Sequence, residues 1–288
     1  MTSPGAEPDP LPSRRDARMR VTRRGRIVGA AALAIVLVVA VVAVLVLLQP
    51  QPAPPAATPE PTASAPSATP TPTATPTPTP EPEETFDMTR NSIDDPGSFW
   101  VVVDKLRPLE PRDYAAPDLV DVPVPYVYAP KLRKKAADAV VAMFAAYERE
   151  TGLRMQSQSA YRAYATQVTT YNGWVSQLGQ KGADLTSARP GYSEHQTGLA
   201  IDISALPANC ALQACFADTP QGTWLAENAW KWGFILRYPE GKTSVTGYEF
   251  EPWHYRYVGK ALAAEMREQG VETMEEFFDL PAAADYAG

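Results

Sequence analysis

The longest apolar run of the chain lies near its N-terminus. Residues Ile27 to Leu48 carry no charge, and as a helix this run would be about 33 Å long, enough to cross a bilayer. A cleaved signal peptide is the alternative, but its apolar region is usually only about 7 to 15 residues long. The pattern therefore favours an uncleaved transmembrane signal anchor over residues 27–49.

The segments on either side of this run have very different compositions. Residues 1–26 are rich in arginine, and the positive-inside rule predicts that they form a cytoplasmic tail. Residues 50–85 consist almost entirely of Pro, Thr, Ala, Ser and Glu, which predicts a disordered, polyproline-like linker. We therefore expect a single-pass protein of the cell membrane, with residues 86–288 folded on the extracytoplasmic side.

Hydrophobic periodicity returns in residues 86–288 and predicts both helices and strands. Apolar residues between Leu132 and Glu150 recur at helical spacing, so we expect a core-packing helix that stops at Gly152. The segment LRMQSQSAYR alternates as a strand does and ends at Tyr161 and Arg162, after which AYATQVTTYNGWVSQL resumes helical spacing. The segment SFWVVVDKLRPL predicts a further strand that leads into an extended stretch.

Several shorter patterns complete the predicted elements. The β-branched AIDI predicts a strand around Asp202, GKALAAEMREQG predicts a helix closed by Gly270, and TMEE is a capping box that begins at Thr273. The segment WLAENAWKWGF could be a carbohydrate platform, but its spacing favours core packing. Because strands and helices mix without regular alternation, we predict an α+β fold.

Composition and charge narrow the classes of partner. The chain has 26 Lys plus Arg against 33 Asp plus Glu, a net charge of −7. Since the arginines of residues 1–26 are part of that basic total, the acidic excess falls on the remainder of the chain. Nucleic-acid binding normally needs a basic surface, so we expect no nucleic-acid partner.

The candidate chemistry centres on the only two histidines of the chain. His195 lies in SEHQTGLAID, which ends at Asp202, and His254 lies in EPWHYRY, which begins at Glu251. Hydrolytic zinc sites usually have three protein ligands of His or Asp/Glu type, so we predict one Zn²⁺ on His195, Asp202 and His254. Glu251 is then the candidate general base. The alternative is that either histidine is an ordinary hydrogen-bonded core residue.

Three ordered motifs make the chain resemble the zinc D-alanyl-D-alanine carboxypeptidases of the VanY type. The pattern Ser-x-His-x-x-Gly-x-Ala-x-Asp is complete, and so is Glu-x-Trp-His. The upstream pattern Ser-x-Tyr-Arg followed by Gln is present, with Ala160 where glycine is common. The residues that carry these matches are Ser193, His195, Gly198, Ala200 and Asp202, then Glu251, Trp253 and His254, then Ser159, Tyr161, Arg162 and Gln167.

The resemblance implies a fold, a reaction and further site residues. The fold would be a small antiparallel sheet with flanking helices, of the zinc DD-peptidase and Hedgehog type. The substrate would be the peptidoglycan stem peptide, which loses a C-terminal D-alanine, and either D,D- or L,D-specificity is open. Arg162 would be catalytic or hold the substrate carboxylate, and Gln167 and Ser193 would bind substrate.

The sequence leaves two alternative functions open and predicts one disulfide. The first function is a membrane-anchored metallocarboxypeptidase, and the second is a catalytically inactive wall-binding module with a structural zinc. The intact Glu251 favours the enzyme, because a structural site would close the fourth zinc position. Cys210 and Cys215 are the only cysteines, and outside the membrane we expect them to pair.

Overall fold

A computed structural model describes residues 86–287 of the chain. The predicted basic tail (1–26), membrane anchor (27–49) and linker (50–85) lie outside these residues. Among the helices of residues 86–287, none has both the length and the apolar character needed to span a bilayer.

Short antiparallel strands form two sheets in the described part of the chain. They are β1 Leu119–Asp121, β2 Lys131–Arg133, β3 Arg154–Ser159, β4 Ala200–Leu206, β5 Phe234–Leu236 and β6 His254–Tyr257. β1 pairs with β2, and the other four strands form one sheet of order β3-β4-β6-β5, antiparallel throughout. This sheet and its helices confirm the predicted α+β fold.

Four of the six α-helices in residues 86–287 lie where a helix was predicted, namely the first, second, fifth and sixth. The helices are α1 Lys134–Thr151, α2 Tyr164–Thr186 with a break at Gly179, α3 Pro220–Asn228, α4 Thr243–Thr246, α5 Lys260–Gln269 and α6 Met274–Phe277. Gly152 ends α1 in the left-handed conformation with φ 71°, and Gly270 ends α5 in the same way. Thr273 caps α6, because its hydroxyl accepts the backbone N–H of Glu276 at 3.2 Å. These stop and start signals are confirmed.

The main core lies between α1 and the larger sheet. The buried face of α1 and the inward side chains of β3 and β4 form one hydrophobic cluster, which includes Ala136, Val140, Met143, Tyr147, Met155, Ile201 and Ile203. Full burial of such a side chain contributes about 1.5 to 3 kcal/mol. The helix therefore fixes β3 and β4 from one side.

The strand predicted in SFWVVVDKLRPL does not form. Residues 98–109 run in an irregular, largely buried path without a strand partner within residues 86–287. Val101 and Val103 enter the main core, whereas Trp100 and Val102 enter a second cluster. The carbonyl oxygens of Phe99 and Val101 accept from the Arg256 guanidinium at 3.1 and 2.8 Å, so a side chain takes the place of a neighbouring strand.

Two further predictions concern the region after β4. Cys210 and Cys215 form a disulfide, which confirms the expected pairing. The segment WLAENAWKWGF forms α3 and a 3₁₀ turn, where Leu225 is fully buried and Trp224 and Trp232 pack against the main core. Core packing therefore accounts for these aromatic side chains.

Candidate metal centre and active-site cleft

Three side chains with metal-ligating atoms meet at one end of the larger sheet. Asp202 on β4 lies directly opposite His254 on β6 in the antiparallel register, which brings cross-strand side chains close together. His195 reaches the same point from a 3₁₀ helix, Glu194–Thr197. One ligand atom from each residue lies within 4.8 Å of the other two, so the three side chains can bind a single ion.

The turn at Gly198 sets the position of His195 relative to Asp202. Gly198 ends the 3₁₀ helix with φ 70°, a conformation that glycine adopts without steric cost. A Cβ atom here would lie 2.6 Å from Leu119 Cδ2 and 3.1 Å from Arg133 Cγ. The close approach of the backbone to β1 and β2 therefore requires glycine between the two predicted ligands.

The two imidazole rings are oriented in opposite senses. His195 Nδ1 lies 2.7 Å from the carbonyl oxygen of Ala160, which leaves Nε2 facing Asp202 at 3.3 Å. His254 instead turns Nδ1 to Asp202 at 3.1 Å and Nε2 to the Glu194 carboxylate at 3.5 Å. Each ring thus presents one nitrogen to the cluster, and two imidazole nitrogens with one carboxylate fit a zinc site that keeps a fourth position.

Burial and mutual contacts shift the pKa values of these groups. Burial alone would raise the pKa of Asp202, but His195 and His254 hold it well below its ordinary value. Burial lowers the pKa of His195. Burial also opposes the charged form of His254, yet hydrogen bonds to Asp202 and Glu194 raise its pKa to about 9. Before zinc binds, Asp202 is therefore ionised and His195 neutral, while His254 must first lose a proton.

Glu251 lies beside the three-residue cluster and lines the cleft that leads to it. Its Oε2 atom lies 3.8 Å from His254 Nδ1, and its side chain is 12% exposed. The backbone holds it in place, because its N–H donates to Tyr238 O and its own carbonyl accepts from His254 N–H. Burial raises the pKa of Glu251 to about 8, a value suited to taking up and returning a proton near neutral pH.

Arg162 and Gln167 form a connected pair at the start of α2. Arg162 donates to the Gln167 side-chain oxygen at 2.8 Å and to the Ser159 hydroxyl at 3.0 Å. Gln167 is fully buried, and its amide donates to Ser187 Oγ and Ala188 O at 3.2 and 2.6 Å. In this position Gln167 orients Arg162 from behind, and its predicted contact with substrate stays a prediction.

A cleft of about 480 Å³ opens above the cluster. Arg162, Ser193 and Glu251 line it together with the three candidate metal ligands. Its outer walls come from Trp174 on α2, from Leu212, Gln213 and Ala214 in the disulfide loop, and from Phe250 and Trp253. The cleft is thus larger than the cluster itself, and its volume lies in the range usual for ligand-binding pockets.

Sequence reasoning missed a group of buried charges behind His254. Glu194, Arg237 and Arg256 have fully buried side chains, and both arginines form an ion pair with Glu194. Burial alone would raise the pKa of Glu194, but Arg256 and Arg237 hold it well below its ordinary value. A signal was present, since Arg256 lies two residues after His254 and so shares its face of the strand, where a buried charge needs a partner.

Known proteins resemble this chain in sequence. Residues 129–260 match the family model described as VanY, D-alanyl-D-alanine carboxypeptidase. The chain is 40% identical over 193 residues to the putative carboxypeptidase YodJ of Bacillus subtilis (strain 168), an alignment that covers 65% of this chain and 70% of YodJ.

Solved structures with the same fold include enzymes of two specificities. The structure of the LdcB LD-carboxypeptidase superimposes on this chain with a TM-score of 0.59 at 40% identity. The alignment covers 64% of this chain and 87% of the LdcB chain. A variant of the vancomycin resistance D,D-pentapeptidase VanY, in complex with Zn(II), gives a TM-score of 0.51 at 29% identity. The alignment covers 62% of this chain and 97% of the VanY chain.

Proposed function

Because the chain belongs to the VanY family of D-alanyl-D-alanine carboxypeptidases, we propose that it is a zinc-dependent enzyme that removes the C-terminal D-alanine from peptidoglycan stem peptides. The observation that carries this proposal is the Glu251 carboxylate beside the His195, Asp202 and His254 cluster, inside an open cleft. A metal site with only a structural role needs neither that carboxylate nor the cleft.

The residues of the site have distinct roles in this reaction. His195, Asp202 and His254 would hold Zn²⁺, which when bound supplies positive charge that polarises the scissile carbonyl and lowers the pKa of water. Glu251 accepts the proton of the attacking water and returns it to the leaving amine. Arg162 lines the cleft as a fixed cation, so it binds the terminal carboxylate of the substrate or the developing oxyanion.

Two substrate lengths separate D,D- from L,D-specificity. A D,D-enzyme shortens a pentapeptide stem that ends in D-Ala-D-Ala, whereas an L,D-enzyme shortens the tetrapeptide. We expect the zinc-loaded protein to release D-alanine from the pentapeptide, as measured by the mass of each product. Release from the tetrapeptide alone would assign L,D-specificity, and release from neither peptide would contradict the proposed reaction.

The alternative is a catalytically inactive wall-binding module with a structural zinc. Both functions predict zinc in the purified protein and binding to peptidoglycan, but only the enzyme releases D-alanine. Turnover that is absent in the zinc-loaded wild type, together with tight binding to wall fragments, would favour the module.

We also propose that the protein is anchored in the cell membrane through residues 27–49, with the peptidase domain outside. The support is the apolar run between a basic tail and a proline-rich segment. A linker of this composition reaches about 110 Å when fully extended, so the domain could act on wall peptides well away from the bilayer.

A further inference from the structure

Four charged side chains form a buried cluster that contacts His254 through Glu194. Glu194, Arg237, Arg256 and Glu275 are all fully buried. Removing an ion from water costs several kcal/mol even after relaxation, and only close partners offset that cost. Such a cluster in contact with a candidate metal ligand calls for an explanation beyond packing.

The contacts of Glu194 divide between its two oxygen atoms. Oε1 accepts from Arg237 Nε at 2.8 Å and from Arg256 Nη1 at 2.7 Å. Oε2 faces His254 Nε2 at 3.5 Å. Within residues 86–287, no other acceptor lies within hydrogen-bond distance of that nitrogen. Glu194 is therefore the acceptor that faces Nε2 of His254, while Nδ1 of the same ring faces Asp202.

The two arginines are themselves anchored, so Glu194 cannot rotate away. Arg237 donates through both terminal nitrogens to Glu275 on α6, at 2.9 and 2.6 Å. Arg256 donates to the carbonyl oxygens of Phe99 and Val101 at 3.1 and 2.8 Å. The bidentate pair with Glu275 fixes the direction of the Arg237 guanidinium, and the two arginines together hold Oε1 of Glu194.

A neutral imidazole has one N–H and one lone pair, so an acceptor at one nitrogen selects the other nitrogen for the metal. Ala160 O performs this task for His195. We propose that Glu194 performs it for His254: held by Arg237 and Arg256, it is a positioning residue that keeps the proton on Nε2 and turns Nδ1 toward the metal. This inference rests on the zinc site of the proposed function.

The first test compares two variants that remove the same charge from the same cluster. Glu194→Gln replaces the group that faces His254, whereas Glu275→Gln leaves that contact intact. Loss of an outer partner of a metal ligand typically costs 10- to 100-fold in metal affinity. We therefore expect Glu194→Gln to weaken zinc binding about 10- to 100-fold by chelator competition. Glu275→Gln, which loosens Arg237 but leaves the contact between Glu194 and His254, should weaken zinc binding clearly less.

Thermal unfolding and circular dichroism of the metal-free proteins establish that each variant is folded. Equal zinc affinity in folded Glu194→Gln and wild type would overturn the proposal, and so would an equal loss in both variants, which would indicate a general effect of the charge cluster. Failure of the wild type to bind zinc would instead contradict the proposed function.

A second measurement needs no variant, because the chain has only two histidines. Ring ¹⁵N spectra of the zinc-loaded wild type should show the proton of His254 on Nε2 and that of His195 on Nδ1. The contact of the His254 ring with the Tyr238 ring, whose centroids lie 4.9 Å apart, assigns the His254 signals. A His254 ring that carries its proton on Nδ1 would refute the proposal even if Glu194→Gln does not fold.

Discussion

Glu251 and His254 lie three residues apart, and they occupy different positions in the site. Glu251 stands beside the cluster, whereas His254 is one of its three members. We expect Glu251→Gln to keep zinc while D-alanine release falls by about 10²- to 10⁴-fold, since this is the usual contribution of a general base. His254→Ala should lose zinc affinity itself. Zinc stoichiometry and turnover of both variants test this, and near-normal turnover of Glu251→Gln would remove its proposed role.

The raised pKa of His254 predicts how zinc binding depends on pH. Burial opposes the charged ring, but the contacts with Asp202 and Glu194 raise its pKa to about 9, so below that pH zinc must displace a proton. Zinc affinity should therefore rise with pH from 7 to 9, by at most about tenfold per unit for one proton, and then level off. Chelator competition at several pH values measures this, and an affinity that is constant from pH 7 to 9 would contradict it.

At the scale of elements, the turn between the 3₁₀ helix and β4 positions the first ligand. Gly198→Ala would place Cβ 2.6 Å from Leu119 Cδ2 in a left-handed conformation. The matched control is Gly152→Ala, where φ is 71° but no atom lies within 4 Å of the new Cβ.

The left-handed conformation costs both variants about 1 to 2 kcal/mol. We expect Gly198→Ala to lose more stability than Gly152→Ala in chemical denaturation and to bind zinc more weakly, because His195 shifts. Equal stability and equal zinc affinity in the two variants would show that the contact with Leu119 does not constrain the turn.

The disulfide loop forms a second element of the site. Cys210 and Cys215 are five positions apart, and Leu212 and Gln213 between them line the cleft. Replacing both cysteines by serine should lower stability by about 2 kcal/mol, the chain-entropy value for so short a loop. The freed loop should also raise KM for the peptide, whereas zinc affinity stays unchanged. Unfolding curves and steady-state kinetics test this, and an unchanged KM would exclude the loop from substrate binding.

At the scale of the whole molecule, the proposed anchor predicts where the domain is exposed. Protease added to intact protoplasts should digest residues 86–288 and leave the short basic tail protected inside. A cytoplasmic protein serves as the control and should survive the same treatment. Survival of the domain while a known outer-surface protein is degraded would contradict the proposed topology.

Local patterns in the sequence were sufficient for much of this protein. Helical spacing gave α1, the stop signals at Gly152 and Gly270 fell where the helices end, and the capping box at Thr273 opens α6. These features depend on neighbours a few residues apart, so the chain itself encodes them. The pairing of the two cysteines was likewise predicted from the sequence, and the three ordered motifs were identified in it.

Only the tertiary structure decided the features that join distant positions. The backbone carbonyls of Phe99 and Val101 accept hydrogen bonds from the Arg256 guanidinium, and their segment forms no strand. The Gln167 side chain accepts a hydrogen bond from Arg162. Glu194 meets His254 across 60 positions of sequence. A buried charge or an unpaired backbone carbonyl must find a partner, but periodicity and composition do not say which one. That choice depends on how the sheet and its turns bring the chain together, which the short-range pattern does not contain.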